Sequence, residues 1–198
     1  MKTIINMKKL MIVPLLLLSS CASVQPTTET YTSYRVYNVS NSYTLNQVRD
    51  VVVNAAKSAN SNAAVINGLP PHPLPKQPGR FEIKNTQLGP VTMAFPQMPG
   101  STVSVRSTKR PSNAETMNWI IGIYPYEGGY SVQMLMVATY RRGTSSFNPI
   151  ALGAALGREL AYDQNGGVEG RIKYWFDNLS EKIASKIVMD LKEAYPNE

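Results

Sequence analysis

Two long β-capable runs set apart by a glycine pair constrain this chain more than any other feature. Tyr130–Tyr140 is the longest and most apolar β-candidate in the chain, and Met117–Tyr124 is a second. Gly128-Gly129 stands just ahead of the longer run. Glycine reaches the positive φ that tight hairpin turns need, so the pair predicts an antiparallel hairpin. Further strand candidates are Arg80–Asn85, Val91–Phe95 and Thr102–Arg106, with a short one at Ala63–Asn67. Near the start, Tyr34, Val36 and Asn38 alternate with Arg35, Tyr37 and Val39, which predicts a strand over Tyr34–Val39.

Helical patterns flank this run of strands. Thr44-Leu45-Asn46-Gln47 has the spacing of a capping box, and Leu45, Val48, Val52, Ala55, Ala56 and Ala59 recur at helical intervals behind it. Pro149–Leu160, rich in alanine and leucine, is expected to form a short helix with its proline in the first turn. Near the end, Val168, Ile172, Trp175, Phe176, Leu179, Ile183, Ile187 and Leu191 step by threes and fours and predict one long final helix. The order of strand, helix, many strands and closing helix argues α+β. The expected architecture is an antiparallel sheet with an N-terminal helix and a long C-terminal helix packed on one face.

Gly68–Gly79 holds five prolines and cannot lie inside a regular sheet; it is expected as a partly polyproline excursion between strands. The 198 residues suit one ordinary domain. The single cysteine excludes an internal disulfide, and one histidine with one cysteine excludes the usual zinc clusters. The net charge of +7 includes Lys2, Lys8 and Lys9 in a segment expected to be removed, which leaves 17 basic residues against 13 acidic ones. That charge is scattered, and no nucleic-acid-binding module accompanies it, so no nucleic-acid partner is expected.

Residues 1–20 have the build of an export signal: Lys2, Lys8 and Lys9, then the apolar run Leu10–Leu18, then Ser19 and Ser20. Met7-Lys8-Lys9-Leu10 opens a more compact version of the same signal. The apolar run is far shorter than the ~20 residues a membrane-spanning helix needs. Leu18-Ser19-Ser20-Cys21 resembles a bacterial lipobox and carries the chain's one cysteine. The resemblance implies diacylglyceryl transfer to the Cys21 sulfur, cleavage before Cys21 and acylation of the new amine. Two or more acyl chains anchor a protein stably where one does not. Ala22, where inner-membrane lipoproteins carry Asp, resembles the outer-membrane sorting class. Residues 21–33, rich in Thr and Ser, are expected to be a flexible tether, with one periplasmic domain over 34–195.

Three further fragments are Tyr43–Arg49 (YTLNQVR), Pro78–Ile83 (PGRFEI) and Ile172–Leu179 (IKYWFDNL) with Ile183. With the lipobox they resemble small Gram-negative outer-membrane lipoproteins of unknown function, which end in a YxxWxxNLxxxI-like helix. The resemblance covers about a third of the mature chain. It implies a small α+β domain and no transferable catalytic residue. The proline run and the residues near Gln97–Asn113 and Arg141–Gly167 look like insertions relative to it.

Candidate chemistry is sparse. His72 lies among prolines with no second histidine, and no Gly-x-Ser-x-Gly elbow, phosphate loop or metalloprotease pattern occurs. Neither a metal nor a cofactor is expected. Tyr174, Trp175 and Phe176 form an aromatic cluster, and Met134 and Met136 sit in the longest strand. Core packing accounts for most of these. The alternative is a ligand or partner groove lined by Tyr174, Trp175, Met134 and Met136. Gly153 and Gly157 could form a tight helix-packing face. The resulting expectation is a non-enzymatic, lipid-anchored accessory or binding module of the outer membrane, facing the periplasm and working with an envelope protein partner. The alternatives are a lipid- or lipopolysaccharide-handling protein with an apolar groove between sheet and helix, and an envelope hydrolase.

Overall fold

The computed structural model describes residues 27–88, 91–112, 115–142 and 166–196. The fold is α+β and mostly antiparallel. Among the described residues, eight strands and two helices follow in the order β1 (Thr27–Val39), α1 (Leu45–Ala59), β2 (Ala64–Asn67), β3 (Glu82–Leu88), β4 (Val91–Gln97), β5 (Val103–Ser112), β6 (Glu115–Tyr126), β7 (Gly129–Arg142), α2 (Gly167–Ala184) and β8 (Met189–Tyr195). Six strands form one sheet in the order β2-β5-β6-β7-β1-β8, and β3 pairs with β4 in a separate hairpin. The expected export signal, Cys21, the expected helix Pro149–Leu160 and Gly153 and Gly157 lie outside the described residues.

The glycine pair does its work at the β6–β7 turn, where Tyr126 pairs with Gly129 across a two-residue loop. Gly129 has φ +128°, and a Cβ there would fall 2.3 Å from the Val39 carbonyl oxygen. Only glycine permits that approach of the turn to the end of β1.

β6 and β7 are buried on both faces, which is why they are apolar without strict alternation. Trp119, Ile121, Val132, Met134 and Met136 join the main core with Val48, Val52 and Ala56 of α1 and Ile172, Phe176 and Leu179 of α2. Ile120, Tyr124 and Leu135 point the other way, into a second cluster with Met98, Tyr34 and Phe81. The capping box of α1 forms as expected, with Thr44 accepting from Gln47 N–H and Gln47 reaching back to Thr44 N–H.

The proline run crosses the second face and is fastened along its length. Gly68 N–H donates to Thr102 O at 2.6 Å, and Glu127 N–H donates to Pro75 O at 3.0 Å. Phe81 N–H donates to Gln133 Oε1 at 3.0 Å.

Two expectations need correction. Thr27–Ser33, expected as tether, is strand, paired from Thr27↔Arg142 through Ser33↔Met136. Its Thr-rich composition suits a half-exposed strand as well as it suits a loop. The strand that was expected to start at Tyr34 therefore starts at Thr27. The final helix stops at Ala184, and Leu191 belongs to β8, where it pairs with Tyr37. Ile187 remains in the core, so the helical spacing runs on one step past the helix by coincidence. The unsatisfied edge of β1 at Tyr34–Val39 instead recruits the last residues as a strand. β8 is an edge strand carrying Asp190, Lys192 and Glu193, charges that discourage further pairing.

Candidate functional site

A cleft of about 730 Å³ opens beyond the end of β8. Its walls are Thr30–Ser33 of β1, the N-terminal half of α2, and Tyr195 with Pro196. Ile172 and Phe176 give it an apolar side; Glu169 and Lys173 stand on the same helix. The Ser33 hydroxyl donates to the Tyr195 carbonyl at 2.7 Å and fixes the end of β8 at the mouth.

Arg35 also lines the cleft and is only 5% exposed. Its Nη2 donates to Asp177 Oδ1 at 2.8 Å, and its guanidinium carbon lies 5.2 Å from the centre of the Phe176 ring. Lys173 Nζ donates to the other Asp177 oxygen at 3.1 Å. Burial alone would push the Asp177 carboxyl up. The hydrogen bonds and charges of Lys173 and Arg35 outweigh it and hold that carboxyl below its ordinary value. Both signs of charge thus meet at one side of the cleft, beside an apolar wall.

Of the buried polar side chains among the described residues, two carry charge: Arg35 on β1 and Glu115 on β6. Each reaches α2, Arg35 through Asp177 and Glu115 through Arg171 Nη2 at 3.1 Å. In each pair one partner is buried and the other is 40–48% exposed, so α2 supplies a half-exposed counter-charge to each charge buried on the sheet.

A second polar cluster closes the other face. The Arg80 fork grips both oxygens of Glu193 at 2.7 Å, and Tyr34 O–H donates to the same carboxylate at 2.6 Å. Those bonds hold the Glu193 carboxyl below its ordinary value. The Arg80 guanidinium covers the Phe81 ring at 4.5 Å. A shallower cleft of about 550 Å³ lies between β4 and the outer strands, with Arg106 and Asn118 beside Phe95 and Ile120.

Three of the four expected groove residues meet in the main core, and the fourth, Tyr174, lies outside it. Met134 and Met136 are fully buried in the main core. Trp175 is half-buried against Trp119, with ring centres 5.1 Å apart. Tyr174 is 72% exposed. None of them lines the 730 Å³ cleft. The reason is geometric: Met134 and Met136 occupy the centre of a sheet already covered by helix side chains, while Tyr174 falls on the outer side of α2. His72 is exposed on the proline loop. The sequence reading passed over Arg35, Asp177, Glu115 and Gln133. Lys173 and Asp177 at i,i+4 were a visible signal on the helix; a lone arginine on the apolar side of β1 was another.

Among the described residues, no group of His, Cys, Asp and Glu is arranged to hold a metal ion. None of their helices is long and apolar enough to cross a membrane. A scan of protein-family models finds no match to this chain, and a search of curated proteins finds none either.

Proposed function

We propose that this chain is a lipid-anchored accessory or binding module of the outer membrane, facing the periplasm and non-enzymatic. The observation that carries the reading is the cleft at the head of β1. It lies on the first strand described after Cys21, and that strand begins only six residues beyond the cysteine. Six residues reach at most about 20 Å to Thr27, and Thr30–Ser33 follow three to six residues later, so a lipid at Cys21 would keep the cleft within about 40 Å of the bilayer. Anchoring raises the effective concentration of the module for any partner at the same membrane. The shared core of the two helices supports the finer arrangement, with α1 and α2 on one face of the six-stranded sheet. The resemblance of Leu18-Ser19-Ser20-Cys21 to a lipobox supports the anchor, as do the three fragments shared in pattern with small outer-membrane lipoproteins. A second reading, acyl-chain handling, draws on Ile172 and Phe176 in the cleft wall.

Expression in a Gram-negative host tests the anchor. The expected mature chain begins at Cys21, carries diacylglyceryl and acyl groups by mass spectrometry, and stays with outer membranes after a high-salt wash. The Cys21→Ser variant should leave the membrane fraction. An unmodified thiol, or a Cys21→Ser chain that still fractionates with washed envelopes, would overturn the reading.

A further inference from the structure

The shallower cleft on the second face of the sheet has two unlike walls. β4 forms one with Phe95 and Pro96, and the outer face of β5 and β6 forms the other. Arg106 pairs with Ile120, and Thr108 with Asn118, across those two strands. Side chains alternate along a strand, so Ser104, Arg106 and Thr108 share the face on which Ile120 joins the second cluster. Met98 plugs one end, seated so closely on Gly122 that a Cβ there would lie 2.8 Å from its sulfur. At the other end the Thr108 hydroxyl donates to Asn118 Oδ1 at 2.7 Å, and Nδ2 of that carboxamide is a further donor. Between these ends stands Arg106, exposed, the one charged residue in the lining. Around it β5 carries Lys109 and Arg110 and no acidic residue.

We propose that this cleft binds an amphipathic organic anion: an apolar chain ending in a carboxylate or a phosphate monoester, its head group on Arg106 and its chain along Phe95, Ile120 and Met98. The proposal rests on the binding-module reading and gives the module a ligand class. A planar guanidinium takes two oxygens of such a head group at once, and charge-assisted hydrogen bonds are roughly twice as strong as neutral ones. No carboxylate stands among the lining residues, so a cationic head group gains nothing in that position. The volume of about 550 Å³ falls within the roughly 300–1,000 Å³ of small-molecule sites. An inorganic anion would leave the apolar wall wet, and an uncharged chain would cover the guanidinium without pairing it, which is costly.

The test titrates the purified Cys21→Ser chain, so that no detergent competes, with decanoate and with decyl phosphate below their micelle-forming concentrations. Methyl-labelled methionines report the place of binding by NMR. Saturable binding should shift the Met98 methyl and leave Met134, in the main core, unmoved. Decyltrimethylammonium, the same chain with the opposite charge, and inorganic phosphate should each bind at least about tenfold more weakly. Arg106→Gln should weaken the better anion about tenfold or more at unchanged Tm, and Arg106→Lys should recover part of that loss. Lys173→Gln, beside the other cleft, should change nothing. The tighter of the two head groups identifies the source, a free fatty acid or a lipid phosphate. No saturable binding of either anion, equal binding of the ammonium probe, an unmoved Met98 methyl, or affinity that follows Lys173 and not Arg106 would each overturn the proposal. The titration reads this cleft without a membrane and the fractionation experiment reads the anchor, so either reading can fail alone.

Discussion

Gln133 donates from Nε2 to the Gly79 carbonyl at 2.7 Å while its Oε1 accepts from Phe81 N–H at 3.0 Å. One carboxamide in the middle of β7, 1% exposed, thereby serves as a peptide unit for a loop that cannot pair as a strand. Gly79 must be glycine for this: a Cβ there would sit 2.7 Å from the Tyr124 ring. Replacing Gln133 with Ala leaves two backbone groups of the loop without their partner and opens space under it. The expected cost is about 2–4 kcal/mol, from roughly 1–3 per orphaned buried group. Urea unfolding measures it, and faster proteolysis within Gly68–Gly79 should accompany it. A loss under 1 kcal/mol with an intact loop would show that the prolines hold the excursion in place by themselves.

How far the fold was legible follows from residues such as these. The capping box at Thr44 and Gln47 and the turn at Gly128-Gly129 act over two to four residues, and both were readable. The strand at Thr27–Ser33 was not, because threonine and serine serve loops and half-exposed strands alike; only the partner β7 decides. The end of α2 was missed because Ile187 keeps the helical spacing while the edge of β1 captures the residues beyond it. The cleft was invisible for the same reason. It is made by where β8 stops, a property of register between residues 160 positions apart and of no local pattern.

Acid should loosen both ends of this arrangement. Asp177 is pushed up by burial but held down more strongly by Lys173 and Arg35, and Glu193 is held down by Arg80 and Tyr34. A carboxyl depressed in the folded state binds fewer protons there than in the unfolded chain. The stability it contributes is therefore present above the unfolded value of about 4 and is lost as pH falls through the lower folded value. Thermal melts from about pH 7 down to 2.5 should show Tm falling below that value. The Asp177→Asn, Glu193→Gln double variant should start lower at pH 7 and decline less steeply. Parallel slopes would mean that neither carboxylate controls acid stability. Both groups are about half exposed, so added salt should shrink the difference.

Alkali acts on the second face. Burial pushes the Tyr124 phenol well above its ordinary value of about 10, since the ring lies beneath the proline loop with its O–H on the Met98 sulfur at 3.5 Å. The folded state keeps a proton that the unfolded chain gives up. Stability is full below the unfolded value and falls as pH rises from there toward the higher folded one. Tyr124→Phe should cost little at neutral pH, because a hydroxyl on a thioether is a weak bond, and should flatten the alkaline decline. Ultraviolet titration of the phenols alongside melts above about pH 10 checks both parts. An unchanged alkaline slope would point to Tyr34, which its hydrogen bond with Glu193 also pushes up.

The methionines and aromatic residues expected to line a groove divide by what their loss should do. Met134 and Met136 have no exposed surface and lie between strands and helices, so truncation to Ala removes packed atoms and leaves a cavity. Each should cost about 2–5 kcal/mol. Tyr174, 72% exposed on the outer side of α2, should change stability by no more than about 0.5 kcal/mol when cut to Ala. Trp175 falls between: its ring packs on Trp119 and edge-on to Phe176, so Trp175→Leu should cost part of an aromatic pair and shift the tryptophan emission. None of these positions touches the cleft, whereas Ile172→Ala shortens its apolar wall. Met134→Ala should lower Tm, and Ile172→Ala, which removes atoms from the same core, should lower it as well. A Met134→Ala chain that melted like the parent would show that the strands and helices close over the lost side chain and leave no cavity.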